Sequence, residues 1–289
     1  MAFVTDAPFI ERAIVAGDGP LELLFSHDSA HEARVPLLFV HGAYAGAWCW
    51  EDGFMPWFAA RGFPVYALSL RGHGRSGMRE RLHSFGVADY AADLASALAH
   101  LPRPPVLVGH SMGAVVAQKC LERPEVRSGP GGVAGAAALV LLCPVPLSGL
   151  MHATWSLAVT RPSLFAELNS LALGGRMSRD AVRQAMFGGP VDADRLEACF
   201  ARLQPESRRA LLDVSGLDLP RRGLVDLPHT LVLGAERDAL IPAHLAQANA
   251  RALGAQYREL PGLGHAVMLE AEWQRAAQAL LDWLEQTGV

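Results

Sequence analysis

The pentapeptide Gly109-His110-Ser111-Met112-Gly113 constrains this chain more than any other segment, because the apolar run Val106-Leu107-Val108 precedes it and the helix-forming stretch Ala114-Val115-Val116-Ala117-Gln118 follows it. A strand that passes through G-x-S-x-G into a helix turns so sharply that a side chain at either glycine would collide with the approaching backbone. The serine is forced into a strained conformation with its hydroxyl held out where a substrate can reach it. A serine between glycines is more often a plain loop residue. The strand before and the helix after give this one its chemical meaning.

A serine hydroxyl is a weak nucleophile until a base takes its proton, and the base needs a third group to fix its tautomer and orientation. In strand–elbow–helix architectures the chain order is nucleophile, acid, histidine, each at the C-terminal end of a strand. Asp238 follows the strand-like Thr230-Leu231-Val232-Leu233, within Gly234-Ala235-Glu236-Arg237-Asp238-Ala239-Leu240-Ile241-Pro242. His265 follows a shorter strand pattern at 256–260, within Pro261-Gly262-Leu263-Gly264-His265, with the small Ala266 and Val267 behind it. Glu236 competes with Asp238 for the acid. Asp238 is preferred because Pro242 can open the next helix and leave the aspartate on the loop.

Together these segments resemble the α/β-hydrolase superfamily, specifically its serine carboxylesterase, lipase and perhydrolase-like members, over nearly the whole chain. Further landmarks are Phe39-Val40-His41-Gly42-Ala43, Leu70-Arg71-Gly72-His73-Gly74-Arg75-Ser76, and Tyr90-Ala91-Ala92-Asp93-Leu94 before the elbow. The resemblance implies Ser111 as nucleophile, His265 as base and Asp238 as acid. It also implies an oxyanion hole made by the backbone N–H groups of Ala43 and Met112. The expected chemistry is hydrolysis of carboxylic esters through an acyl-enzyme, with small to medium hydrophobic acyl or aryl esters as substrates and no metal or organic cofactor. Carbon–carbon bond hydrolysis, thioester hydrolysis and perhydrolysis would use the same residues, and a ligand receptor on the same fold is the non-enzymatic alternative.

The details narrow that range. Ser111 excludes the aspartate nucleophile of epoxide hydrolases and dehalogenases. The chain reads His-Gly-Ala-Tyr where some bulky-alcohol esterases read His-Gly-Gly-Gly, which argues against tertiary-alcohol esters. The run from His41 to Trp50 also looks like plant methylesterases and hydroxynitrile lyases. The lyases, however, need a lysine near the catalytic histidine, and Lys119 is the only lysine here.

The opening pattern is a hairpin, 9–15 and 21–25, across Gly17-Asp18-Gly19-Pro20. Buried strands follow at 37–40, 65–68, 106–108, 138–142, 230–233 and 256–260, alternating with helical patterns, the last at 273–284. Alternation of this kind predicts an α/β fold, a mostly parallel sheet with helices on both faces. Between about 147 and 227 no strand pattern appears, and helical stretches are punctuated by Gly174-Gly175, Gly188-Gly189-Pro190, Pro205 and Pro220. The expected organisation is a hydrolase core at 1–146 and 228–289 with an inserted helical cap at 147–227. The apolar faces of that cap are expected from Met151, Trp155, Leu157, Phe165, Leu168, Met186, Phe187 and Phe200. The substrate pocket is expected to include His41, Tyr44, Trp48, Trp155 and Phe187.

Composition excludes several classes. With 289 residues, half of them apolar, the chain can bury a sizeable core, and a net charge of −4 argues against nucleic acid or an anionic membrane as the main partner. Cys49, Cys120, Cys143 and Cys199 lack metal-ligand or redox spacing and read as reduced structural thiols. No apolar stretch approaches the roughly 20 residues of a membrane span, and the N-terminal residues carry no basic-then-apolar leader pattern. A cytoplasmic location is expected. Gly72-His73-Gly74-Arg75-Ser76-Gly77 matches G-x-G-x-x-G, but Asp89 and Asp93 lie on a helix where a dinucleotide site needs an acidic residue ending the next strand. His73, Arg71, His41 and His110 are therefore expected to shape loops, His110 by bracing the elbow.

Overall fold

Apolar residues in an unbroken run, too short for a core helix, are satisfied as strands buried on both faces. The computed structural model describes residues 10–26, 34–127, 135–221, 223 and 226–289, and in it such runs form the centre of one eight-stranded sheet in the order β1-β2-β4-β3-β5-β6-β7-β8. The strand at 256–260, expected to be buried, is an edge strand with only Leu260 buried, and the edge strand at 11–16 has no fully buried residue. The opening hairpin, β1 (Glu11–Ala16) and β2 (Pro20–Ser26), is antiparallel with Val15 opposite Leu21. Phe9, expected in its first strand, lies outside the described residues. Strand β2 runs antiparallel to β4, whereas β3 (Leu37–Val40), β4 (Val65–Leu68), β5 (Val106–His110), β6 (Ala138–Leu142), β7 (Thr230–Ala235) and β8 (Gln256–Leu260) are mutually parallel.

Side chains alternate between two cores with the strand period of two. Leu37, Phe39, Val106, Val108, Leu231 and Leu233 point to one face; Leu38, Val40, Leu107, Leu139 and Val232 point to the other. The first core is closed by α1 (Trp48–Glu51), α2 (Phe54–Ala59) and the C-terminal helix, where Trp50 stacks on Phe39 at 4.9 Å. The second is closed by α3 (Val87–Leu98) and α4 (Met112–Leu121), with the one-turn α5 (Pro124–Arg127) after them.

Between β6 and β7, which pair directly through Leu139 and Thr230, the described residues form helices and no strand. These are α6 (Met151–Thr160), α7 (Pro162–Ala172), α8 (Arg179–Met186), α9 (Ala193–Arg202) and α10 (Arg208–Leu212), followed by a π turn at Asp213–Leu217. They share a small apolar cluster of their own around Leu157, Leu164, Val182 and Ala185. Helices α11 (Ala243–Leu253) and α12 (Gln274–Thr287) complete the chain. No helix among the described residues is long and apolar enough to cross a membrane.

Candidate active site

The elbow is built as its glycines require. Ser111 sits at φ 53°, ψ −116°, in a left-handed region costly for a residue with a Cβ. A Cβ on Gly109 would stand 2.5 Å from the Gly113 carbonyl oxygen and 2.7 Å from the Ala114 Cα, and one on Gly113 would stand 2.5 Å from the Val40 and His41 carbonyl oxygens. Backbone fills both positions, so β3, β5 and α4 converge only because neither residue has a side chain. The Ser111 N–H donates to the Leu142 carbonyl at 2.9 Å, which ties the turn to β6.

Three strand ends bring Ser111, His265 and Asp238 into one hydrogen-bonded line. His265 Nε2 lies 3.0 Å from Ser111 Oγ, and His265 Nδ1 lies 2.7 Å from Asp238 Oδ2. The other Asp238 oxygen accepts the N–H groups of Leu240 and Ile241, each at 2.8 Å, and its carboxylate is fully buried. Because the carboxylate is acceptor-only, Nδ1 must carry the proton and Nε2 turns a lone pair toward the serine. Glu236 goes elsewhere: its Oε2 accepts the Gly262 N–H at 2.7 Å, so it braces the loop before His265 without touching the imidazole.

Two of the histidines expected to shape loops hold backbone. His110 Nε2 donates to the carbonyl oxygen of His265 at 2.8 Å, linking the elbow to the loop opposite. His41 Nδ1 donates to the Gly42 carbonyl at 2.8 Å while its Nε2 accepts the Leu70 N–H at 3.1 Å. Burial, helped by neighbouring histidines, pushes each of them down to about 3, so both stay neutral. Arg71 is tied to the buried Asp93 at 2.6 Å.

Cys143, Asp238 and His265 place potential ligand atoms within 4.8 Å of one another. Burial, with the Asp238 charge beside it, raises the Cys143 thiol well above its ordinary range, so it offers a neutral thiol. A metal needs a thiolate there, and the other two groups already serve each other.

Ser111 and His265 open into a cavity of about 330 Å³, floored by Ala43 and Tyr44 and roofed by residues such as Leu150, Ala153, Leu157, Phe165, Leu168 and Met186. That volume is at the small end of ligand pockets, which run from about 300 to 1,000 Å³. Of the five residues expected in the pocket, Tyr44 lines it and four do not. His41 is sealed beneath the loop that it holds. Trp48 faces a separate surface depression under the guanidinium of Arg202, while its neighbour Cys49 reaches the cavity. Trp155 is 72% exposed, since α6 turns Ala153 and Leu157 inward and Met151, Trp155 and Val159 outward. Phe187 follows the inward Val182, Ala185 and Met186 of α8 and is buried at the close approach of Gly188 to Gly264.

Two buried carboxylates escaped sequence reading. Glu270 Oε1 accepts the N–H groups of Gly188 at 2.6 Å and Gly264 at 2.7 Å, clamping the His265 loop to the segment after α8. Glu206 accepts from Tyr44, His73, Tyr90 and Ser207. Neither sits in a motif, and nothing local in the sequence marks either.

A serine at a strained elbow, in line with a histidine and an aspartate at the carboxyl ends of parallel strands, under an inserted helical segment, is the arrangement of an α/β hydrolase. The chain belongs to that family: the sequence profile of the alpha/beta hydrolase family matches residues 37–279, and the protein is accordingly a hydrolase. It is 31% identical over 245 residues to a pimeloyl-[acyl-carrier protein] methyl ester esterase of Methylococcus capsulatus, covering 79% of this chain and 85% of the relative. The protein of the same name from Chromobacterium violaceum is 32% identical over 234 residues, covering 77% and 84%. Among solved structures, a thermophilic esterase from Thermogutta terrifontis superposes with a TM-score of 0.69 at 20% identity, over 96% of this chain and 98% of that one.

Proposed function

We propose that the protein hydrolyses carboxylic esters of small to medium hydrophobic acyl or aryl groups through an acyl-enzyme on Ser111. The observation that carries this reading is the Ser111–His265–Asp238 hydrogen-bonded line opening into an apolar cavity. Relatives named for methyl ester hydrolysis support ester cleavage as the reaction. Residues 147–227 act as the cap, between core parts 1–146 and 228–289, and the four buried free cysteines are in keeping with a cytoplasmic location.

His265 Nε2 takes the hydroxyl proton as Ser111 Oγ attacks the ester carbonyl, and the Asp238 carboxylate stabilises the imidazolium. The carbonyl oxygen becomes an oxyanion received by the N–H groups of Ala43 and Met112, the latter at the N-terminus of α4 where the helix dipole favours negative charge. The tetrahedral intermediate collapses, the alkoxide leaves with the proton from His265, and an ester links Ser111 to the acyl group. Water then gives its proton to His265 and attacks that ester, releasing the acid and restoring the serine.

A fluorophosphonate should modify one residue, Ser111, and abolish turnover of p-nitrophenyl butyrate; Ser111→Ala should be inert to both. Modification at another residue, or turnover retained by Ser111→Ala, overturns the reading.

A further inference from the structure

Tyr44, directly after Ala43, has φ 64°, a region that residues with a Cβ rarely occupy. Such a conformation persists only where the surroundings impose it. Here the surroundings come from residues 204–206, between α9 and α10. The Tyr44 N–H donates to Glu206 Oε2 at 3.2 Å, and the Tyr44 carbonyl accepts from the Gln204 N–H at 3.0 Å. Gln204 is itself fastened, its side chain accepting the Gly74 N–H at 2.9 Å and donating to the Gly72 carbonyl at 3.1 Å.

Glu206 is completely enclosed and fully used. Its Oε1 accepts from Tyr90 Oη at 2.8 Å and the Ser207 N–H at 2.6 Å; its Oε2 accepts from His73 Nε2 at 3.0 Å in addition to Tyr44. His73 Nδ1 meets the Arg71 carbonyl oxygen at 3.0 Å. With an acceptor opposite each ring nitrogen, His73 is an imidazolium and Glu206 its counter-ion. Burial pulls the His73 pKa down, but the Glu206 charge and hydrogen bond outweigh it and the net shift is upward.

We infer that Glu206 is a positioning residue: it holds the oxyanion loop in its working shape through Tyr44, so the Ala43 donor is in place only while residues 204–206 are docked. The inference rests on the acyl-transfer reading above and adds to it a link between the cap and the reacting centre. It also explains why two adjacent backbone groups of one strained loop residue are both bonded to a segment about 160 residues away.

Glu206→Gln makes a focused test. A neutral His73 can keep its Nδ1–H on Arg71 and accept the glutamine N–H at Nε2, while the glutamine oxygen still receives Tyr90 and Ser207. Only the Tyr44 N–H is then left facing a donor. Losing a whole oxyanion donor costs about 10²–10³ in kcat, so a displaced one should cost about 10–100-fold. We expect kcat for p-nitrophenyl butyrate to fall by that factor with KM within about threefold. Affinity for an alkyl boronic acid, whose tetrahedral adduct places an oxygen in the hole, should fall in parallel. Wild-type kcat, or a loss expressed in KM with unchanged boronate affinity, overturns the inference. If Ser111→Ala is inert while Glu206→Gln is fully active, only the inference falls; if Ser111→Ala is active, the underlying reading falls. Should Glu206→Gln fail to fold, hydrogen exchange in the wild-type protein decides: the Tyr44 amide must be protected like a core strand, and exchange at open-loop rates overturns the inference.

Discussion

Replacing Asp238 by asparagine changes one oxygen to an amide nitrogen, and the surroundings dictate which. Two backbone donors, the N–H groups of Leu240 and Ile241, converge on Oδ1 at 2.8 Å, so the asparagine oxygen must stay there and its NH₂ must face His265 Nδ1. A ring nitrogen facing a donor must carry the lone pair, which moves the imidazole proton to Nε2, against Ser111, where a base is needed. The productive tautomer is reached by flipping the amide, which leaves two buried donors unsatisfied at about 1–3 kcal/mol each, or about 2–6 kcal/mol together. At 1.36 kcal/mol per factor of ten, that is a loss between about 30-fold and 10⁴-fold. The full burial of Asp238 favours the upper end, and a wrong tautomer in a serine protease costs about 10⁴. The assay is kcat/KM on p-nitrophenyl butyrate at saturating and limiting substrate, with the thermal midpoint as control for folding. Glu236→Gln, at a side chain that accepts the Gly262 N–H and does not touch the imidazole, should stay within about tenfold, the scale of an indirect effect. A folded Asp238→Asn enzyme within tenfold of wild type would refute the reasoning, and an exchange of behaviour between the two variants would make Glu236 the acid.

Ala153 is buried and lines the cavity from α6, so Ala153→Phe should fill much of its 330 Å³ and raise KM for butyrate and longer esters while acetate turnover persists; equal effects on all chain lengths would show that acyl groups do not lie there. Stability should fall as pH drops from 7 to 5, because His41 and His110 stay neutral in the folded protein, each down to about 3, while their unfolded forms take up protons below about 6.5. That is about 2 kcal/mol per histidine over the window. His73, raised in the fold, contributes stability that is complete below the unfolded value and lost on the alkaline side, so it offsets the trend only weakly. Urea midpoints that are flat or rising toward pH 5 would contradict the neutral burial of both rings.

The parts of the fold that could be read in advance are those where one local signal has one structural outcome. Strands at 37–40, 65–68 and 138–142 fall where their apolar runs begin and end, because a run buried on both faces has no other stable form at that length. The elbow was readable because Gly109 answers a backbone contact within five residues, at Gly113 and Ala114, although the contact that Gly113 answers, with Val40 and His41, is long-range. Side-chain direction in the helical segment was not. Helix α6 is apolar on both sides, so its periodicity cannot say whether Leu157 or Trp155 faces inward; the packing of α7 and α8 decides. Glu206 was beyond reach for another reason. In Gln204-Pro205-Glu206-Ser207 it looks like any surface glutamate, and only the fold brings it to the loops carrying Tyr44, His73 and Tyr90.

The outward turn of Trp155 has a spectroscopic consequence. Trp50 and Trp283 are sealed in the core, Trp48, Trp57 and Trp273 are half-buried on the sheet side, and Trp155 alone belongs to the helical segment and stands in solvent. Its emission is the red-shifted fraction that iodide or acrylamide quenches first, so one native fluorophore can be observed apart from the other five. The same helix turns Ala153 and Leu157 toward the cavity, so Trp155 is a native label on the outer face of a helix whose inner face lines the site.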